Sequence, residues 1–338
     1  MHLLVTGAAG FIGSNYVRHV LATTDDEVTV FDALTYAGNR GNLTDVEHSN
    51  RFSFVAGDIC DREALRAAMA GCDAVVHFAA ETHVDNSITG PDVFVATNCL
   101  GTNVVMDIAR LTEVSKVVHV STDEVYGSID LGSFSETDPL CPRSPYSSSK
   151  AGSDLLALSY HTTYQVPVVI TRSSNQFGPY QYPEKLIPLF TTNLLDGQKV
   201  PVYGDGLNVR DWLFVDDNCR GVDLVLRQGV VGEIYNIGAH NEVPNIDLIR
   251  KLLSLTGRDE SSIEWVADRL GHDRRYSITT DKITSLGWKT ERSLDEALSE
   301  TVAWYRNHRA WWEPLKVAQE QAQAKRKEQL AAVRAQST

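Results

Sequence analysis

Three glycines spaced three residues apart, Gly7, Gly10 and Gly13, follow directly on the apolar run Leu3–Thr6 and open a stretch of helical periodicity. No other feature of the chain constrains its fold as much. Small residues between a strand and a helix let the backbone approach a pyrophosphate, and the helix start supplies free N–H groups and partial positive charge. The spacing is Gly-x-x-Gly-x-x-Gly, which also occurs as a plain tight turn. Its place in the first β–α turn, with Phe11 and Ile12 between the second and third glycines, favours a dinucleotide seat. Asp32 closes the second apolar run, where a carboxylate can accept from the adenosine ribose hydroxyls. The same carboxylate would repel a 2′-phosphate, so the pattern favours NAD over NADP. The bland reading of Asp32 is a strand-end turn residue. Asp58 and Ile59, after the third run, are placed to flank the adenine.

The rest of the chain repeats that rhythm. Apolar runs at Leu3–Thr6, Glu27–Asp32, Phe52–Ala56, Ala74–Phe78, Lys116–Ser121, Pro167–Thr171 and Glu233–Ile237 predict strands buried on both faces. Stretches at Gly10–Ala22, Arg62–Ala70, Val93–Leu111 and Ser144–Tyr164 predict the intervening helices, and the alternation predicts an open parallel sheet covered on both sides. Beyond about residue 175 the rhythm breaks. Pro179, Pro183, Pro188 and Pro201 punctuate Asn175–Tyr203, which reads as irregular, and helices are expected near Pro244–Thr256 and Ser293–Asn307. The expected organisation is a dinucleotide domain of residues 1–174 and 208–238, a second lobe of residues 175–207 and 239–315, and a polar helical or frayed tail over 316–338.

Composition narrows the class. Of 338 residues, 31 are Lys or Arg and 44 Asp or Glu, a net charge of −13, which argues against a nucleic-acid coat or a binder of anionic membranes. Cys60, Cys72, Cys99, Cys141 and Cys219 form no Cys-x-x-Cys pair, so neither a disulfide framework nor a metal site is expected. The amino terminus lacks the basic region of a signal peptide and no run of 18 apolar residues occurs, so a cytoplasmic location is the expectation.

Tyr146 and Lys150 form Tyr-x-x-x-Lys, which a helix presents on one face. Ser144-Pro145 reads as an N-cap and a first-turn proline, so Tyr146 would sit in the first turn. The helix dipole and the Lys150 ammonium would then favour tyrosinate, a base for a sugar hydroxyl. Ser121–Gly127 follows the fifth apolar run, at the end of a strand where such sheets bind ligands. Thr122 can hydrogen-bond a substrate hydroxyl and Tyr146. Asp123 and Glu124 are adjacent carboxylates whose differing burial can yield one acid and one base. Taken alone, the Tyr/Lys pair reads equally as a surface pair and the two acids as solvated turn residues.

The chain resembles the extended short-chain dehydrogenase/reductase family, in its nucleotide-sugar 4,6-dehydratase branch. The resemblance rests on Gly7–Gly13, His77–Asp85, Ser121–Gly127, Ser144–Lys150, Asn175–Leu186, Asn208–Trp212 and Gly271–Tyr276, and covers about residues 1–315. Three positions depart from the family pattern: Gln176 stands for Asn, Phe177 for Tyr and Thr82 for Ser. The implied fold is α/β, a Rossmann-like doubly wound parallel sheet with a smaller, interleaved α/β C-terminal substrate lobe. The implied chemistry is dehydration of dTDP-glucose with bound NAD: Tyr146, aided by Thr122 and Lys150, takes the C4 hydroxyl proton, Glu124 the C5 proton, and Asp123 protonates the leaving C6 hydroxyl. Beyond the residues already named, the resemblance implies cofactor contacts from Leu34, Thr35, Phe78, Ala79, Ala80, Thr97 and Gln176. It implies substrate contacts from Thr82, Asn175, Lys185, Leu186, Pro201, Tyr203, Arg210, Asn245, Arg269 and His272, with Arg210 on the diphosphate. It also implies a homodimer through Val93–Leu111 and Ser144–Tyr164. Three rival functions share parts of this pattern. A nucleotide-sugar 4-epimerase would carry the glycine turn and Tyr146/Lys150, but has no use for Asp123-Glu124. A GDP-mannose dehydratase would run the same chemistry on another base. A catalytically dead NAD-binding module would need only the glycine turn and Asp32.

Overall fold

The structure is a computed structural model that describes residues 1–268 and 273–321. In β1 (His2–Thr6), Leu3 and Val5 pack into one apolar layer and Leu4 into the other. This two-sided burial is the physical content of an apolar run that does not alternate. The same logic builds β2 (Glu27–Asp32), β3 (Phe52–Ala56), β4 (Ala74–His77), β5 (Lys116–Thr122) and β6 (Val168–Ser173). With the later strand Ile234–Ile237 these make a seven-stranded sheet of parallel pairs. Its order is β3-β2-β1-β4-β5-β6 followed by Ile234–Ile237. Strand order reverses between β1 and β4, and the crevice beyond the carboxyl ends of these two strands is where such a sheet takes a ligand.

Helices cover both faces. On one lies α1 (Phe11–Thr23), against the later helix Val215–Gln228. On the other lie α2 (Arg62–Met69), α3 and α4 (Pro145–Tyr164). The second of these, α3, runs through 91–112 with a π-helical stretch at Val95–Gly101. Ser144 caps α4 by accepting from the Ser147 N–H, Ser147 Oγ accepts in return from the Ser144 N–H, and Pro145 opens the helix.

The second lobe departs from the expected irregular segment 175–203. Asn175–Phe177 is β7, Leu186–Leu195 is α5 and Val200–Tyr203 is β8. Pro188 is tolerated because it is the third residue of α5, where an N–H has no intrahelical acceptor. Next comes β9 (Val209–Phe214), which pairs with β7 and with the later strand Glu242–Pro244 in a small separate sheet. The boundary expected at 208 is thereby corrected: β9 joins the lobe, and the chain re-enters the main domain at α6 (Val215–Gln228), ahead of β10 (Ile234–Ile237). The lobe is completed by β11 (Glu242–Pro244), α7 (Asn245–Thr256), β12 (Ile263–Val266), which pairs with β8, and α8 (Leu294–Asn307). Its core holds Phe177, Phe190, Trp212, Phe214 and Leu298.

A further helix, α9, covers 309–321. Its Trp312, Lys316 and Gln319 are buried, so positions 316–321 take the helical form of the expected polar tail, with one face packed rather than frayed. Lys316 Nζ bonds Asp196 Oδ2 at 2.8 Å, so the helix is docked on the lobe. The remainder of the expected tail, 322–338, lies outside the described residues.

Candidate active site

Gly7 adopts φ +71°, and a Cβ on it would sit 2.5 Å from the Ala79 backbone nitrogen. A Cβ on Gly13 would sit 2.6 Å from the Ala8 Cα. Both glycines are therefore required for β1, α1 and the strand end at β4 to meet this closely. The N-cap of α1 is Gly10, which has no side chain to satisfy the first N–H groups, so that end is open to an anion. Asp32, 8% exposed, accepts from the Ala9 N–H at 2.9 Å and the Leu34 N–H at 2.7 Å. Burial raises its pKa, against the pull of those two donors.

One cleft runs from this turn along the strand ends. It is lined by sixteen of the residues expected to hold the cofactor: Gly7, Gly10, Phe11, Ile12, Gly13, Asp32, Thr35, Asp58, Ile59, Phe78, Ala79, Ala80, Thr97, Tyr146, Lys150 and Gln176. Leu34 is the exception. It does not line the cleft, its side chain is 39% exposed and its φ is +52°; its contribution is the N–H that fixes Asp32. The absent side chains at the turn and the carboxylate at the end of β2 suit a dinucleotide carrying two ribose hydroxyls.

At the far end of the cleft the catalytic candidates converge. Thr122 ends β5 and caps the turn Asp123–Tyr126 by accepting from the Glu124 N–H at 3.3 Å. Its own hydroxyl donates to Asp123 Oδ1 at 3.3 Å. Asp123 is 2% exposed and its Oδ2 has no hydrogen-bond partner among the described residues. Burial, then Glu124 and Asp211, push its pKa well above the ordinary carboxylate value, which favours the protonated form. Glu124, its neighbour, is less buried and faces both this cleft and the next. The two adjacent acids thus differ in burial as the sequence suggested.

Tyr146 and Lys150 lie on the inner face of α4, both buried. Lys150 Nζ donates to the Val120 carbonyl at 2.8 Å, and burial brings its pKa down to about 8 although Asp154 opposes this. The expectation of a ready tyrosinate is corrected. Burial, and then the Glu124 charge, push the Tyr146 pKa up, with only the Thr122 hydroxyl drawing it back. Helix start and lysine do not outweigh the lost solvation, so Tyr146 is a neutral phenol until a proton acceptor or a cation joins it.

A second cleft opens from the first into the lobe, sharing Glu124, Asn175, Gln176 and Lys185 with it. Of the expected substrate residues, Leu186, Pro201, Tyr203, Arg210 and Asn245 line this second cleft, Asn175 and Lys185 line both, and Thr82 and Thr122 line the first. Arg269 and His272 lie outside the described residues. Arg210, 8% exposed, is aimed by donating to the Asp273 carbonyl at 2.9 Å and by stacking 4.2 Å over the Tyr276 ring. Lys185 Nζ is tethered to the Thr82 carbonyl at 2.9 Å. Buried Asn175 Oδ1, Gln176 Oε1 and Asn245 Oδ1 have no protein partner among the described residues, an unusual concentration of unspent polar atoms in one place.

Several lining residues were not singled out from the sequence. Glu184 takes a hydrogen bond from Tyr36 at 3.1 Å and approaches His83 at 3.8 Å. Asp273 is held by Arg143 at 3.1 Å and by the Tyr276 hydroxyl at 2.7 Å. Glu184 adjoins Lys185 in the Asn175–Leu186 run and could have been found there. Arg143, Asp273 and Tyr276 come together only through the fold.

Comparison with known proteins adds a family and close relatives. The family model described as GDP-mannose 4,6 dehydratase matches residues 4–301. A dTDP-glucose 4,6-dehydratase of Streptomyces antibioticus is 56% identical, over 94% of this chain and 96% of its own. One from Actinoplanes sp. is 53% identical, over 92% of this chain and 100% of its own. The crystal structure of DesIV, a dTDP-glucose 4,6-dehydratase from Streptomyces venezuelae solved with NAD and dTDP bound, superposes with a TM-score of 0.92 at 56% identity. That match covers 93% of this chain and 100% of DesIV.

Proposed function

This chain belongs to the GDP-mannose 4,6-dehydratase family, and from that membership and its relatives we infer that it converts dTDP-glucose to dTDP-4-keto-6-deoxyglucose and water. The observation that carries the reading is the pairing of a deeply buried Asp123, whose burial favours its protonated form, with a less buried Glu124 beside Tyr146 and Lys150. Oxidation at a carbinol needs one base; loss of water needs a further acid and base. The relatives named above narrow the substrate to the thymidine nucleotide sugar. NAD is the cofactor; when bound it takes up hydride from C4 of the sugar and returns it to C6.

In this reading Tyr146 acts as a phenolate, formed once the cationic nicotinamide lies beside it and stabilised by the Lys150 ammonium, and receives the C4 hydroxyl proton with Thr122 sharing the hydrogen bond. Glu124 removes the C5 proton, which the new ketone has acidified, and Asp123 delivers its proton to the departing C6 hydroxyl. Glu124 then returns its proton to C5. Gly7, Gly10 and Gly13 seat the pyrophosphate of NAD, and Asp32 the adenosine ribose. Thr82, Asn175, Lys185, Leu186, Pro201, Tyr203, Arg210 and Asn245 hold the nucleotide sugar, with Arg210 as a fork for its diphosphate.

The working form is a homodimer in the cytoplasm. Val93, Val95, Leu100 and Leu111 on α3 and Leu155 on α4 are 48–59% exposed, an apolar surface suited to a second copy. All five cysteines are free thiols, in keeping with a reducing compartment. No described helix is long and apolar enough to cross a membrane.

Incubation with dTDP-glucose and mass spectrometry of the product tests the activity: loss of one water is expected, and an unchanged mass with dTDP-galactose as product overturns it in favour of epimerisation. Asp123→Asn with Glu124→Gln separates the steps. The pair should still reduce bound NAD while releasing at least about 100-fold less dehydrated sugar. Normal turnover by that variant would refute the elimination roles.

A further inference from the structure

The glycine turn is braced from a part of the chain that touches neither cleft. Ala9, between Gly7 and Gly10, is fully buried, and its peptide groups are bonded on both sides. Its N–H donates to Asp32 Oδ2 at 2.9 Å, while its carbonyl accepts from Asn42 Nδ2 at 2.8 Å and from the Asn39 N–H at 2.9 Å. Asn42 is 1% exposed. An asparagine amide has a donor end and an acceptor end, and something must decide which end faces Ala9. Here the decision comes from Trp311, whose indole N–H donates to Asn42 Oδ1 at 3.0 Å across 269 positions of sequence. An indole can only donate. It accepts no hydrogen bond, so it turns the oxygen of Asn42 toward itself and the NH₂ toward Ala9.

Trp311 is itself held by the lobe. Its ring meets Trp304 at 5.0 Å and Tyr180 at 5.7 Å, both edge-on. The next residue, Trp312, is buried and donates to the Tyr305 carbonyl at 2.7 Å, and Arg309 pairs with Asp196 and Glu313. We propose that Trp311 is a cofactor-positioning residue: through Asn42 its indole N–H sets the Ala9 peptide of the glycine turn, so that retention of NAD depends on that one bond from α9 and not on the overall stability of the helix. The relay rests on the reading of that turn as the NAD pyrophosphate seat. It gives a family member that must keep NAD through a full oxidation and reduction cycle a second lock on the cofactor, supplied by the lobe that also holds the sugar nucleotide.

The test is the rate at which the purified holoenzyme releases NAD into excess labelled NAD, well below the unfolding temperature. Trp311→Phe keeps the ring packing and removes only the N–H; about three- to tenfold faster release is expected, the worth of one hydrogen bond. Asn42→Asp attacks the relay from its other end: it can accept from Trp311 but not donate to Ala9, and it should release NAD at least as fast. The double variant should be no faster than Asn42→Asp alone, because both changes break one chain. Arg309→Gln serves as control. It loosens α9 through its ion pairs without touching the relay, and should lower thermal stability while NAD release stays at the native rate. Native release by Trp311→Phe, additive effects in the double variant, or equal acceleration by Arg309→Gln would each overturn the relay. A native protein that binds no NAD at all would instead overturn the reading of the turn on which the relay stands.

Discussion

Lys150 illustrates how a single residue can weaken a fold and serve a reaction. Its ammonium group, buried beneath Tyr146, has its pKa brought down to about 8, against about 10.4 in an unfolded chain. The folded state therefore binds the proton more weakly than the unfolded state. The fold carries this penalty in full below pH 8, and it fades as pH rises from about 8 to about 10.4. It is on the order of 3 kcal/mol, partly offset by the bond to the Val120 carbonyl. Lys150→Met should therefore raise the thermal midpoint by a few degrees at pH 7 while abolishing turnover, and calorimetry should find the gain gone above pH 10. A lower midpoint at pH 7 would mean that Asp154 already compensates the buried charge. In the native enzyme the same titration predicts an alkaline limb in kcat near pH 8. The Asp123 pKa shifts the opposite way: burial and then the neighbouring carboxylates raise it, the direction that suits the acid role proposed for it.

Among the elements, the junction of β1 with α1 carries the tightest geometry. A Cβ on Gly7 would collide with the Ala79 backbone, which no side-chain rotation relieves, in a conformation L residues avoid. Gly71, after α2, has φ +79° but open space around it. Gly7→Ala should therefore yield protein without bound NAD and destabilised by more than about 2 kcal/mol. Gly71→Ala should cost about 1 kcal/mol and keep its NAD. The ratio of absorbance at 260 and 280 nm, with denaturant melts, reads both, and NAD retained by Gly7→Ala would contradict the role given to the turn. Elsewhere the local chemistry is explicit in the residues: Ser144-Pro145 starts α4 with a reciprocal cap, which sets Tyr146 and Lys150 one turn apart on the same face. The π-helical stretch of α3 was not foreseeable, because its register is set by packing, with Thr97 at the cofactor cleft and Cys99 against α4.

For the whole molecule, the apolar surface of α3 and α4 bears on assembly. Leu100→Asp with Leu155→Asp should convert a dimer to a monomer by light scattering; a native mass with both charges present would place the contact elsewhere. The interleaving of the two lobes is also a property of this scale. The chain crosses between them at the ends of β6, β9 and β10, so the site is closed by lobe segments on either side of a return to the main sheet. The main sheet was legible because strands buried on both faces leave unmistakable apolar runs. The small sheet was not, since β7 and β11 are three residues each and gain their pairing only from β9.

The amino-acid order by itself determined the doubly wound sheet, the glycine turn with Asp32, and the set Thr122, Asp123, Glu124, Tyr146 and Lys150, because periodicity, capping and i, i+4 spacing act over a few residues. The tertiary structure alone decided the upward pKa shifts of Asp123 and Tyr146, the exclusion of Leu34 from the cleft, and the bracing of Ala9 by Trp311 through Asn42. Each of these depends on burial or on partners far away in the chain, and desolvation, the largest influence on those pKa values, exists only once the chain has closed around the group.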